Sequence, residues 1–202
     1  MQTYPGLPAP APEVLLDYET SRAHYGGRAE FFIASLHLCG NTGTYVDAPI
    51  HRFRDATDLA GLPLDHLAHL PAVVAQATGR QIGPAVFHGL NLRERAVLVR
   101  TDWSRYWRTA QYFEHHPFLT APACDFLLDA GVRFVGIDSL NIDDTSDPAR
   151  PAHTKLLGAG IPVCEHMTNL AAVPVEGGYL HAVPIAWKGG ASFPVRAYVM
   201  VE

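Results

Sequence analysis

The sequence predicts a single α/β domain, residues 1–202, built on a mixed β-sheet with flanking helices. Three observations carry that prediction. The apolar runs AVVAQAT (72–78), AVLVRT (96–101) and VRFVGID (132–138) have the length and composition of buried strands. Helical segments alternate with them, and both ends of the chain are rich in β-formers.

The elements follow in order. After a proline-rich start, DYETSRAHYGG (17–27) suggests exposed strand or loop, and EFFIASLHL (30–38) alternates well enough for a strand. NTGT (41–44) is a turn, and YVDAP (45–49) is short and extended, since Pro49 opposes a helical continuation. Residues 55–70, with leucines at 59, 62, 64, 67 and 70, suggest a loop carrying a short helix. TAPACDFLLDAG (120–131) is a helix with a Thr N-cap, a proline in its first turn and a glycine stop. PAHTKLLGAG (151–160) is a second helix, followed by the strand IPVCE (161–165). The last strands are HAVPIAW (181–187) and FPVRAYVMV (193–201).

The chain is 48% hydrophobic and 17% charged, with a formal net charge of −5. That is a globular composition with no electrostatic reason to approach nucleic acid or an anionic membrane. Cys39, Cys124 and Cys164 are widely spaced and form no CxxC pair, which predicts reduced thiols and a cytoplasmic setting. No apolar run approaches the roughly 20 residues that span a bilayer. The N-terminus lacks the basic-then-apolar pattern of a signal peptide.

Two places concentrate chemistry. In NTGTYVDAPIH (41–51) a carboxylate, Asp47, and an imidazole, His51, bracket Pro49, and alternation puts Tyr45 and Asp47 on one face. His153 and Glu165 stand at the start of a helix and the end of the next strand, where α/β proteins place catalytic groups. Two His, an Asp and a Glu can hold a divalent metal and leave one group for proton transfer. With eleven histidines in the chain, a turn-stabilising Asp and a surface His explain the first pair as well.

The segment GTYVDAPIH resembles the signature of the cyclase/kynurenine-formamidase family, His-x-Gly-Thr-His-x-Asp-x-Pro-x-His. GIDSLNIDD, RPAHTKLL, GIPVCEHMTNL and PVRAYV follow in the family's order, so the resemblance runs from Tyr4 onward. It implies the swivelling β/β/α fold, a small-molecule substrate, a homodimer or larger, and C–N bond hydrolysis of the kind used in tryptophan catabolism. It also implies that Asp47, His153 and Glu165 bind metal and that His51 transfers protons. Tyr4 falls where the family has an aromatic lining the pocket, and the family's first strand is expected to be missing before it. Arg196 can pair with a substrate carboxylate.

The departures are Asn41 and Tyr45, which stand where the family has its first two metal-binding histidines. Asn offers a neutral oxygen, and Tyr ligates well only after losing a proton whose pKa is ~10. The expectation is therefore one divalent metal, zinc or manganese, on Asp47, His153 and Glu165. The alternative is a metal-free site. Asn41 would then bind substrate, and Tyr45 could join His51 as a proton donor. The activity expected is hydrolysis of an amide, formamide or lactam in a small aromatic or cyclic compound. A metal-free cyclase or dehydratase, or a binding protein without turnover, remains open beside it.

Overall fold

Alternation along AVLVR divides its side chains between two separate cores, and this makes it the centre of a sheet rather than its surface. Ala96 and Leu98 pack into one cluster of fully buried residues, and Val97 and Val99 into the other. Strands buried on both faces are the mark of a parallel sheet covered on each side. The computed structural model describes residues 12–201.

In chain order the elements are β1 (Glu13–Leu16), α1 (Tyr18–His24), β2 (Ile33–Ser35), β3 (Tyr45–Asp47), β4 (Leu70–Gln76), β5 (Gln81–Ile82), β6 (Ala96–Arg100) and β7 (Phe118–Leu119). They continue with α2 (Ala121–Ala130), β8 (Phe134–Ile137), α3 (Pro151–Gly158), β9 (Val163–Glu165), β10 (Gly178–His181), β11 (Ser192–Pro194) and β12 (Tyr198–Val201). An eight-stranded sheet runs β11-β3-β9-β8-β6-β4-β10-β12. Its middle, β4, β6, β8 and β9, is parallel, and the pairs β3–β9, β11–β3, β4–β10 and β10–β12 are antiparallel. The mixed α/β architecture is as expected.

Helices α2 and α3 cover one face through Ala123, Cys124, Leu127, Ala152, Leu156 and Leu157. Short 3-10 turns at Leu59–Gly61 and Leu64–His66 help cover the other with Leu59, Leu62 and Leu67. Gly131 ends α2 at φ 73°, a left-handed conformation that glycine adopts without cost. Thr120 occupies the N-cap position of α2, but its hydroxyl bonds the Ile82 carbonyl at 3.1 Å instead of capping the helix.

Five expectations change. Residues 18–24 are helical, because Asp17 accepts the Thr20 N–H at 2.7 Å and so caps α1. The strand expected over 30–38 shrinks to β2, which pairs only with β1. Pro49 does not end local helicity; it opens the 3-10 turn Pro49–His51, where its missing N–H costs nothing. The C-terminal run 193–201 splits into β11 and β12, which lie at opposite edges of the sheet. HAVPIAW contributes only His181 to β10. No helix among the described residues is long and apolar enough to cross a membrane.

Candidate active site

The site is built on β3, the strand from GTYVDAPIH, where the parallel part of the sheet gives way to antiparallel pairing. Register fixes its partners. Tyr45 lies opposite Glu165 of β9, and Asp47 lies opposite Ser192 of β11. Side chains directly opposite in an antiparallel pair meet on the same face. The Tyr45 hydroxyl donates to Glu165 Oε2, and the Ser192 hydroxyl donates to Asp47 Oδ1.

His153 enters from α3. Its Nδ1 is 2.6 Å from Asp143 Oδ2, and the Asp143 carboxylate also accepts the N–H groups of Ala152 and His153. This fixes the ring with Nε2 turned inward, 3.6 Å from Asp47 Oδ2 and 3.7 Å from Glu165 Oε1. Asp47 and Glu165 are wholly buried and His153 nearly so. Burial alone would lower the His153 pKa. The Asp143 hydrogen bond and the neighbouring Asp47 and Glu165 outweigh it and push the ring up to about 10. Burial, with the nearby Asp47 charge adding to it, raises Glu165.

A divalent cation fits these residues. Asp47 Oδ2 is buried without a hydrogen-bond partner, an expensive condition unless something positive faces it. Two ligand atoms ~2.1 Å from a tetrahedral cation lie ~3.4 Å apart. The separations of 3.6 and 3.7 Å are close to that and too long for direct hydrogen bonds. Ligand atoms of Asp47, His51 and His153 also lie within 4.8 Å of one another. Asp143 on the far nitrogen of His153 is the usual support of a metal-bound imidazole.

Asn41 and Tyr45 turn hydrogen-bond donors toward the carboxylates of the cluster. Burial, and then the charges of Glu165 and Asp47, hold the Tyr45 phenol well above 10, so it remains a neutral donor. Asn41 Nδ2 is 3.3 Å from both Asp47 Oδ1 and Ser192 Oγ, which presents its donor end to the site.

His51 stands at the open side, with its side chain 33% exposed. Its Nδ1 is 3.2 Å from Ser192 Oγ. That hydroxyl donates its single proton to Asp47 and accepts from Asn41, so its remaining lone pair faces the imidazole. His51 Nδ1 must therefore carry the hydrogen, which leaves Nε2 bare as a base. A cavity of about 310 Å³ opens here, lined by Asn41, His51, Trp187, Gly189, Gly190 and Ser192 among others. Gly40 lets the loop close on β11, since a Cβ there would stand 2.4 Å from the Ser192 carbonyl oxygen.

Of the expected residues, Asn41, Tyr45, Asp47, His51, His153 and Glu165 come together. Arg196 is exposed beyond β11 and takes no part in the cluster's hydrogen bonds. Tyr4 lies outside the described residues. Asp138 accepts from the Thr101 N–H and hydroxyl, and Asp143 is the acid that braces His153. Sequence reasoning missed Ser192 and Trp187, which neighbour the motif only through the pairing of β11 with β3.

Comparison with known proteins places this geometry. The family model Cyclase, described as "Putative cyclase", matches residues 2–144. The chain belongs to the cyclase family. Among its relatives, a kynurenine formamidase of Salinibacter ruber is 31% identical over 175 residues, 82% of this chain and 78% of that protein. One from Delftia acidovorans is 31% identical over 173 residues, again 82% and 78%. Among solved structures, isatin hydrolase A from Labrenzia aggregata, bound to benzyl benzoate, superposes with TM-score 0.80 at 26% identity. That match covers 100% of this chain and 88% of the other.

Proposed function

We propose that this cyclase-family chain is a hydrolase of non-peptide C–N bonds, acting on a formamide, amide or lactam of a small aromatic or cyclic compound. The observation that carries the reading is the orphaned Asp47 Oδ2 facing His153 Nε2, with a base, His51, at the open edge of the same cluster. The names of the relatives, kynurenine formamidase and isatin hydrolase, support the same bond class.

Asp47, His153 and Glu165 would hold one divalent cation, zinc or manganese by their N and O donors. When bound, the cation supplies carbonyl polarisation and a more acidic water. The chain's own groups manage the protons. His51 Nε2 takes one from the attacking water and returns it to the leaving nitrogen, the two halves of general base and general acid work that one imidazole can perform. Ser192 holds the ring so that Nε2 faces the cavity. For a formamide the products are the amine and formate, with one water consumed.

Copies of the chain would pair, because Leu15, Tyr18, Phe31 and Phe32 are all exposed on the β1–α1–β2 arm. Sedimentation velocity giving only monomer at micromolar concentration refutes the pairing. A cytoplasmic setting is supported by three unpaired cysteines.

A panel of aryl formamides and lactams, followed by mass spectrometry, tests the reaction class. Products heavier by one water, or split by it, are expected. Products lighter by one water would favour a cyclase or dehydratase, and binding without any product would leave a binding protein.

A further inference from the structure

The cavity beside His51 has two kinds of lining. Asn41, His51 and Ser192 bring polar atoms to it, and the rest is Leu38, Trp187 and small residues. Trp187 is the one large aromatic side chain there among the described residues, and it is 53% exposed, a wide apolar surface left in water beside the reacting groups. We propose that Trp187 is the specificity-determining residue of this site: an open face of its indole takes the aromatic ring of the substrate, and Asp58, outside the cavity, positions it. This rests on the amide-hydrolase reading and adds to it the group that selects an aromatic substrate over a saturated one.

Phe193 of β11 meets the indole with 5.7 Å between ring centroids and 77° between planes, and it is the one ring partner of Trp187 among the described residues. An edge-to-face pair of that kind leaves at least one face of the indole open for offset stacking. The backbone under the indole is pinned. Asp58 accepts the Gly61 N–H at 2.9 Å through Oδ1 and the Gly189 N–H at 2.7 Å through Oδ2. The Leu59 N–H bonds the Gly190 carbonyl at 3.0 Å, and the Gly190 N–H bonds the Trp187 carbonyl at 3.1 Å. Gly190 has no room for a side chain, since a Cβ would stand 2.9 Å from Leu59 Cδ1 and 3.1 Å from the Trp187 carbonyl oxygen. Leu59 is itself buried in the core, so the loop that carries Trp187 is tied to a fixed part of the fold. At about 310 Å³ the cavity is small for a ligand site, which suits a single ring system next to the bond that His51 acts on.

The test compares formanilide with N-cyclohexylformamide, which are close in size and differ in the π face. The two amines leave with different ease, so what is read is the change in their kcat/KM ratio between wild type and variants. Trp187→Leu keeps an apolar side chain without a ring and should lower the formanilide preference about two- to tenfold, the scale of one aromatic pair, chiefly through KM. Trp187→Phe should keep most of it. Asp58→Ala should lose part of the preference through KM with kcat nearly kept, and Asp58→Asn, whose amide oxygen can still accept the Gly189 N–H, should restore most of that part. A merely structural role would lower both substrates alike and leave the ratio unchanged, which would overturn the proposal. Calorimetric titration with acetophenone and with cyclohexyl methyl ketone, neither of which has a C–N bond to cleave, reads the indole without turnover. Wild-type protein should bind acetophenone more tightly, and Trp187→Leu should bind the two alike. Equal affinity in the wild type, or no binding of acetophenone, overturns the proposal even if neither formamide is hydrolysed. No hydrolysis with the acetophenone preference intact would end the hydrolase reading and sustain the role of Trp187.

Discussion

His51→Ala lowers kcat by about 10²–10⁴ and changes KM little, because the proton transfer it loses is made in the transition state. The prediction is sharper than the motif alone allowed. Ser192 fixes the hydrogen on Nδ1 and presents Nε2 as the base, so Ser192→Ala should also lower kcat, but by less, through a loosened ring. Tyr45 was a candidate to cover for the lost imidazole. Its hydroxyl is instead committed to Glu165, and the ring is 4% exposed, so Tyr45→Phe should act through Glu165 and add nothing specific to the His51 defect. Steady-state kinetics of both single variants and the double variant checks this. Unchanged turnover without His51 would remove its acid/base role.

His153→Ala abolishes cation binding, and Asp143→Asn weakens it by about 10–100-fold, the usual cost of losing the group that orients a metal-bound imidazole. In the cation-free protein His153 stays protonated up to about 10, so binding must displace that proton. Apparent affinity should therefore rise with pH through the neutral range and level off near that value. Asp47→Asn should also remove the cation and lower the cation-free melting temperature, since it takes a carboxylate charge away from the buried, protonated His153 ring 3.6 Å off. Glu165 behaves differently. Its oxygens accept from Tyr45, Asn141 and the Ile142 N–H, so Glu165→Gln sets a donor against donors and costs about 1–3 kcal/mol of stability. Calorimetry and thermal melts with and without cation separate these cases. A collapse of the cation-free fold in Asp47→Asn would make that residue structural.

The strands and helices of the middle of the chain were legible because their apolar runs and helix stops act locally: AVLVR must be buried on both faces, and Gly131 must end α2. The candidate ligands were legible because Asp47 and His51 share one short motif with Pro49 between them. Ser192, 141 residues from His51, became a neighbour only through strand register, which no local pattern encodes. The same holds for the split of FPVRAYVMV, where β11 joins β3 and β12 joins β10. Helix α1 was missed although its signal was present, since Asp17 ahead of Tyr18 is an ordinary N-cap. The identity of the group behind His153 turned on distance as well: Asp138, Asp143 and Asp144 are equivalent acids until the loop's path selects Asp143.

Whether the cluster works as a one-cation hydrolase is tested most directly by titrating chelator-stripped protein with zinc or manganese while following formate release from an aryl formamide that the panel identifies. Activity should be absent at the start and should saturate at about one ion per chain, as expected for Asp47, His153 and Glu165 with no ligands from Asn41 or Tyr45. Full turnover in stripped protein, or saturation only at two ions per chain, would contradict it.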